Sequence, residues 1–263
     1  MADTPPDGAR AEILHAREGR VGYLTIDRPP LNILTIDAFH RMSAALDGLL
    51  EPEPVDILVI RSALARAFSA GADVAEHRPD SAPRMLEAFH GVARRLWSMP
   101  VVSVAAVRGL ALGGGMELAL CCDLVVASED AQFGQPEIQV GSFPPIAAAE
   151  LPHRLGRQHA FDLVLTGRRV SAFEALALGL ASRVASEGEF DEELGRVIES
   201  LLQNSGAVMR CALKALRQAE EPAFLAALAE NERIYRDELL ALPDAREGIE
   251  AFLQKRKPRW TSR

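Results

Sequence analysis

The sequence predicts an α/β fold with a helical C-terminal part, and three observations support this prediction. Runs of strand length, such as VDILVIRS (55–62), alternate with amphipathic runs, as expected for right-handed strand–helix–strand crossovers. The run VVSVAAVRG (101–109) is almost continuously apolar, which is typical of a parallel strand buried on both faces. After about residue 190, apolar residues recur only at helical spacing.

The first elements follow from local patterns. Two short apolar runs flank a polar turn near Glu18-Gly19 and predict an opening hairpin within residues 11–29. The segment TIDAFHRMSAALDGLL (35–50) predicts a helix with Thr35 as its N-cap. A second amphipathic helix is predicted over residues 82–99 and is ended by Pro100. Glycines 113–115 then open the helix MELALCC, and DLVVAS (123–128) is a further strand.

The C-terminal part differs in character from the rest. Three helical runs follow one another without a strand, namely residues 190–204, 207–221 and 223–242. We expect them to pack on the main domain or on a neighbouring subunit. The sequence therefore predicts a core that carries the ligand site, residues 1–195, and a helical region, residues 196–263.

Composition limits the function classes. The 263 residues carry a net charge of −8, which argues against nucleic acid or an anionic membrane as the main partner. Cys121, Cys122 and Cys211 have no metal-ligand spacing; the adjacent pair lies in an apolar run, as expected of buried thiols in a reducing compartment. The first twelve residues lack an apolar signal core, and no apolar run is long enough to span a bilayer. We expect a cytoplasmic protein without a metal.

The first candidate loop is the glycine run before residue 116. Gly113, Gly114 and Gly115 lack side chains, so a ligand oxygen could approach the first amides of the helix closely. Glu117 in the first turn would repel a phosphate, and no Gly-Lys-Ser or Gly-Lys-Thr follows. Taken alone, the same pattern is explained as well by close helix–sheet packing with a favourable first-turn acid.

A second loop and a second acid complete the candidate site. Ser69-Ala70-Gly71-Ala72-Asp73 follows an apolar strand and again exposes the backbone, although a plain turn of small residues would look the same. Two such loops, each donating one amide, can form an oxyanion hole. In FGQPEIQVG (133–141), Gln135-Pro136 forces an extended or turn conformation, which can aim Glu137 at the same pocket.

Three blocks of sequence, FSAGADV, GLALGGGMELALCCD and AQFGQPEIQVG, resemble the enoyl-CoA hydratase/isomerase, or crotonase, superfamily. The resemblance covers essentially the whole chain. It implies a crotonase-like spiral of ββα units with a helical C-terminal trimerisation region, assembled as a homotrimer or a hexamer. It also implies an acyl-CoA thioester as substrate and no separate cofactor, since coenzyme A is part of the substrate.

The resemblance also implies roles for individual residues. By motif position, the amides of Ala72 and Gly114 hold the thioester oxygen, and Glu117 and Glu137 are the catalytic acids. The segment after Gly71 lies along the coenzyme A moiety. The implied substrate-binding residues are Ala70, Ala72, Asp73, Val74, Ala75 and Gly114.

Other functions fit the sequence less well. A nicotinamide oxidoreductase would need Gly-x-Gly-x-x-Gly, and a serine hydrolase would need Gly-x-Ser-x-Gly. His77, His90 and His153 have no evident nucleophile partner and are expected at the surface or in packing. A non-catalytic acyl-CoA-binding protein and a double-bond isomerase, which needs only the acid at Glu137, remain open. The presence of both glutamates favours a hydratase.

One segment departs from the usual hydratase pattern. Pro144-Pro145-Ile146-Ala147-Ala148 stands where typical members have a glycine-rich run after the first proline. Proline makes the segment rigid and alanine methyls fill space, which predicts a narrower acyl pocket. This stretch is similar to the cyclohexa-1,5-diene-1-carbonyl-CoA hydratases. We therefore expect a compact, cyclic dienoyl-CoA to be preferred over a long straight chain.

Overall fold

The computed structural model describes residues 12–262; residues 1–11, which include most of the segment predicted to lack a signal core, and Arg263 lie outside this part. The described residues form these strands: β1 Ile13–Glu18, β2 Val21–Ile26, β3 Ile57–Ser62, β4 Ala67–Ser69, β5 Val102–Val107, β6 Leu110–Leu112, β7 Leu124–Ser128, β8 Gln132–Gly134, β9 Arg169–Ser171 and β10 Arg183–Ala185.

The helices of the described residues follow the same chain order. They are α1 Ile36–Leu50, α2 Ala82–Ser98, α3 Gly114–Leu120, α4 Pro145–Arg154, α5 Arg157–Thr166, α6 Ala172–Leu178, α7 Phe190–Leu202, α8 Gly206–Arg217, α9 Glu221–Asp237 and α10 Pro243–Leu253. Residues 12–262 also contain short 3₁₀ helices at Val74–His77, Pro136–Val140 and Leu239–Ala241.

The strands form two sheets through a repeated ββα unit. The larger sheet has the order β1-β2-β3-β5-β7-β10 and is parallel except for the β1–β2 hairpin. The smaller sheet has the order β4-β6-β8-β9. In each of three successive units the first strand joins the larger sheet, the second joins the smaller one, and a helix follows. This spiral is the α/β fold that the sequence predicts.

The predicted hairpin, the early helices and the long strands are confirmed. Thr35 caps α1 and accepts a hydrogen bond from the amide of Ala38 at 3.3 Å. The apolar strand predicted before the Ser69–Asp73 loop is β4, but the local patterns do not predict β6, β8 or β9, because three residues are too few to show a period. Cys121 and Cys122 follow α3 and are buried, whereas Cys211 is exposed.

The main hydrophobic core lies on one face of the larger sheet. It contains Phe39, Met42 and Phe89 from α1 and α2, and extends through α3 and α4 to Leu228 of α9. A smaller cluster on the other face is closed by Phe190 and Leu194 of α7. Among residues 12–262, no helix is both long and apolar enough to span a bilayer.

Prolines begin two segments near the candidate site. Glu137 lies on the 3₁₀ turn that Pro136 begins, so of the extended or turn conformations predicted for Gln135-Pro136 the structure has the turn. Pro145 is the first residue of α4, a position at which the fixed φ of proline suits a helix and its missing N–H costs nothing. The double proline therefore starts a helix instead of forming a rigid loop.

Candidate active site

The loops that follow β4 and β6 meet because these two strands are parallel neighbours in the smaller sheet. A Cβ atom placed on Gly114 would lie 3.3 Å from the backbone nitrogen of Ala72. The first loop is fixed by Leu34, whose N–H donates to the Gly71 carbonyl and whose carbonyl accepts from the Asp73 amide, both at 2.9 Å. The sheet thus brings the two predicted amide donors side by side.

Both amides are free to bind a ligand. Within residues 12–262 the N–H of Ala72 donates to no protein acceptor, because the bridge to Leu34 uses the groups on either side of it. Gly114 is the first residue of α3, so its N–H has no partner inside the helix. Two neighbouring donors without acceptors are the arrangement that stabilises a negative oxygen.

The glycine run leaves room for the second acid. Gly113 has φ +52°, and a Cβ atom there would lie 2.6 Å from Oε1 of Glu137. A Cβ atom on Gly115 would lie 2.2 Å from the carbonyl oxygen of Ser69, so this glycine permits the close approach of α3 to β4. Side chains at these positions would push the acid and the helix out of place.

Glu117 is held by the start of α4. Its residue is 3% exposed, and Oε1 accepts hydrogen bonds from the amides of Ile146 at 2.8 Å and Ala147 at 2.9 Å. Burial raises the pKa of Glu117 to about 7, while these two amides act in the opposite direction by stabilising the carboxylate.

Glu137, the second acid, is close enough to Glu117 to be affected by its charge. Part of the residue is accessible, but the carboxyl group lies against Gly113 and is surrounded by protein. With its amide nitrogen facing the acid, Gln135 donates to both carboxylate oxygens, at 3.2 and 3.1 Å. Burial, followed by the charge of Glu117, raises the pKa of Glu137 well above its usual range. The two acids therefore titrate as a pair.

The segment predicted to lie along coenzyme A is an accessible turn. Asp73 caps the 3₁₀ helix Val74–His77 and accepts from the Ala75 amide at 2.9 Å. The Ala70 amide donates to the carbonyl of Leu31 at 2.9 Å. Ala70 and residues 72–75 are all partly exposed. Within the described residues, no group of three or more His, Cys, Asp or Glu side chains is arranged to hold a metal.

The sequence patterns missed the contribution of α9 to this site. The hydroxyl of Tyr235 lies 2.8 Å from Oγ of Ser142, and its ring centroid lies 5.3 Å from that of Phe143. Asn231 donates to the carbonyl of Pro145 at 2.9 Å. These pairs are 93 and 86 residues apart in the chain, and no local motif marks them.

One cavity lies away from the glutamates. It has a volume of about 480 Å³ and lies between α8 and the end of α3, with a mostly apolar lining. Asp123 and Arg217 within it are joined at 2.8 Å. It shares no residue with the two amide loops or the acid pair.

The ββα spiral and the strand order place the protein among the crotonase-fold proteins. The family model described as enoyl-CoA hydratase/isomerase matches residues 16–263, and the chain belongs to this family.

Known relatives match along nearly their full lengths. The chain is 37% identical to a cyclohexa-1,5-dienecarbonyl-CoA hydratase of Thauera aromatica, over 94% of this chain and 95% of the relative. It is 35% identical to a 2,3-dehydroadipyl-CoA hydratase of Escherichia coli, over 96% of this chain and all of the relative. The crystal structure of an enoyl-CoA hydratase from Mycobacterium avium subsp. paratuberculosis has a TM-score of 0.85 and 32% identity, covering 95% of this chain and 99% of the other.

Proposed function

We propose that the protein is an enoyl-CoA hydratase, a hydro-lyase that adds water across the α,β double bond of an acyl-CoA thioester. The observation that carries this proposal is that two amides without a protein acceptor lie beside two buried carboxyl groups, with the carboxyl group of Glu137 against Gly113. Hydratases among the relatives that match over 94% or more of this chain support the same reaction class.

The amides of Ala72 and Gly114 serve the thioester oxygen in this proposal. When the water oxygen attacks the β-carbon, the electrons of the double bond move toward the thioester and its oxygen becomes negative. Two fixed amides stabilise this enolate, and removal of one such donor typically costs about 3 kcal/mol. Residues 70–75 hold the coenzyme A part of the substrate next to these donors.

The two acids divide the proton transfers. Glu117 accepts hydrogen bonds from two amides in the first turn of α4, where the helix dipole also favours a negative charge. The charge of Glu117 in turn raises the pKa of Glu137. When the pair holds one proton, that proton therefore lies on Glu137. Glu117 then takes a proton from the attacking water, and Glu137 donates a proton to the α-carbon.

A double-bond isomerase is the second candidate. An isomerase moves one proton between two carbons and needs one acid at Glu137. The dedicated hydrogen bonds to the buried Glu117 favour hydration, because they hold a second carboxylate in the site despite the cost of burying its charge. A protein that only binds acyl-CoA would have no use for either buried acid.

The preferred substrate in this proposal is a compact, cyclic dienoyl-CoA. Phe143 is partly exposed beside the start of α4, where typical members have glycines, and it packs against the buried ring of Tyr235. Such a wall favours a rigid ring, which loses little conformational entropy on binding, over a long chain with many rotors. The Thauera aromatica relative, named as a hydratase of a cyclic dienoyl-CoA, supports this choice.

The test is a comparison of kcat/KM for crotonyl-CoA, a long-chain trans-2-enoyl-CoA and cyclohexa-1,5-diene-1-carbonyl-CoA under one set of conditions. We expect the cyclic substrate to be fastest, by a graded margin, because an apolar wall discriminates by only about 1–3 kcal/mol per methylene. A fastest long-chain substrate would identify an ordinary fatty enoyl-CoA hydratase instead.

The assembly and the compartment stay predictions. Large apolar side chains are exposed on α5, α6 and α8, among them Phe161, Leu165, Phe173 and Leu216. Subunit contacts in a homotrimer or a hexamer would cover such surfaces. We propose that the protein works in the cytoplasm without a separate cofactor, because coenzyme A arrives with the substrate.

A further inference from the structure

One edge of α9 contacts the segment between the turn that carries Glu137 and the helix whose amides hold Glu117. Asn231 and Tyr235 are four residues apart, so they lie on the same face of this helix. Both side chains contact residues 142–145, the connection between the 3₁₀ turn that carries Glu137 and the helix α4. These contacts of α9 therefore lie between the turn that places Glu137 and the α4 amides that hold Glu117.

Tyr235 is linked to Glu137 through Ser142. The Ser142 amide donates to the backbone carbonyl of Glu137 at 3.0 Å, which closes the turn. Its hydroxyl, 2.8 Å from the hydroxyl of Tyr235, ties this turn to α9. Tyr235 and Ser142 are 1% and 3% exposed, so water cannot readily replace this hydrogen bond.

Asn231 is linked to Glu117 through α4. It donates to the carbonyl of Pro145, the first residue of that helix. The next two amides, those of Ile146 and Ala147, are the groups that hold Glu117. A shift of Pro145 would therefore move both hydrogen-bond donors of the acid.

A second set of contacts anchors α9 to α2. Glu232, next to Asn231, lies 2.6 Å from Nδ1 of His90 and 2.6 Å from Arg94, both on α2. His90 is fully buried and follows Phe89, which a Cβ atom on Gly114 would approach to 3.3 Å. These contacts fix the face of α9 that carries Asn231 and Tyr235 relative to the amide loops.

We propose that Asn231 and Tyr235 are positioning residues that set the distance between the carboxyl groups of Glu117 and Glu137. The inference rests on the proposed function for its catalytic meaning, but the distance itself is a property of the free protein. A water molecule shared by two acids requires a fixed separation, and misplacement of a catalytic group by about 1 Å can cost ~10²-fold in rate.

The electrostatic coupling of the acids reports this distance. Each acid faces the other, and the further titratable groups near them are Tyr235 on α9 and Cys121 after α3. Burial raises the pKa of both Tyr235 and Cys121, so these two groups stay neutral while the acids titrate. A larger separation weakens the repulsion between the carboxylates, which lowers the higher of their two pKa values.

The experiment compares Tyr235→Phe and Asn231→Ala with matched controls elsewhere in the chain. Tyr23→Phe removes the other tyrosine hydroxyl, which lies on β2 beneath Arg61, and Asn204→Ala removes an exposed asparagine that bonds Ser200. The side-chain carboxyl groups are titrated by nuclear magnetic resonance with isotopically labelled glutamate, and Glu117→Gln and Glu137→Gln assign the signals. Melting temperature, kcat and KM are measured on the same samples.

In both α9 variants we expect the higher carboxyl pKa to fall and kcat to drop by ~10²-fold, with little change in KM. The controls should match the wild type. Unchanged carboxyl titrations, with or without a lower melting temperature, would overturn the positioning role. An absence of turnover in the wild type would instead count against the proposed function and leave the titration result valid.

Discussion

The two halves of the site are built in different ways. The amide half uses backbone groups at the ends of β4 and β6, adjacent strands of one sheet. The acid half uses two side chains whose carboxylates are held by α4 and by a turn that the C-terminal helices clasp. A Cβ atom on Gly248 of α10 would lie 2.4 Å from the carbonyl oxygen of Val140, which shows how closely that helix packs on the Glu137 turn.

The two halves differ in how they affect the stability of the fold. The amides of Ala72 and Gly114 are neutral, and the sheet that aligns them also stabilises the fold. The carboxyl groups of Glu117 and Glu137 are buried, and their raised pKa values mean that the fold disfavours their charged forms. The amide half should therefore be sensitive to steric changes, and the acid half to charge and to distant contacts.

The largest effect should come from removing an acid. We expect Glu117→Gln and Glu137→Gln each to lower kcat by ~10²–10⁴-fold, because each removes one proton transfer, while the thioester still binds. Stopped-flow turnover and calorimetric binding of a non-reactive thioester check the two parts. The double variant should be hardly slower than either single one, since cooperating groups are not additive. Wild-type turnover in a single variant would remove that glutamate from the mechanism.

The amide half should respond to one added methyl group. In Gly114→Ala, the new Cβ atom would lie 3.3 Å from the Ala72 nitrogen and crowd the ring of Phe89. We expect kcat to fall by ~10²–10³-fold, the loss typical of one missing oxyanion donor. The exposed Gly188, around which a Cβ atom would meet nothing within 4 Å, provides the control Gly188→Ala. Equal rates in the two variants would contradict the oxyanion role of Gly114.

The pH dependence should reflect the acid half. The proposed mechanism requires Glu117 to be charged and Glu137 to be protonated, so kcat/KM should rise as the pH increases through about 7 and fall again above the higher pKa of Glu137. A pH–rate profile from initial velocities checks this, and Gly114→Ala should keep both limbs. A profile that is flat through neutral pH would contradict the proposed roles of the acids.

The two halves of the site differ in how far the sequence predicts them. The glycine run and the small residues around Ala72 mark the amide loops, because backbone approach has a compositional signature. The acids were predicted from their spacing and from a family resemblance. The residues of α9 that contact the acid half were not predicted. Asn231 and Tyr235 occupy ordinary positions of an amphipathic helix, and they reach residues 142–145 only through tertiary packing.

The smallest effect should be a gain in stability when an acid becomes neutral. The folded pKa of Glu137 lies above its ordinary value of 4.5, so its contribution to stability is present below that value and is lost as the pH rises through the folded pKa. Glutamine carries no charge, so we expect Glu137→Gln to melt higher than the wild type in alkaline buffer and similarly in acid. Each kcal/mol corresponds to about 2–4 °C in Tm for a domain of this size class. A lower Tm for the variant in alkaline buffer would show that the charge of Glu137 stabilises the fold.

In the proposed mechanism, the two halves of the site act together to add water to an enoyl-CoA. The most direct measurement is mass spectrometry of crotonyl-CoA and cyclohexa-1,5-diene-1-carbonyl-CoA after incubation with the enzyme in heavy-oxygen water. We expect a product of at least one thioester that has gained a heavy oxygen and two hydrogens, formed rapidly by the wild type and slowly by Glu117→Gln, Glu137→Gln and Gly114→Ala. A product of unchanged mass with a shifted double bond, or no product from either thioester, would contradict it.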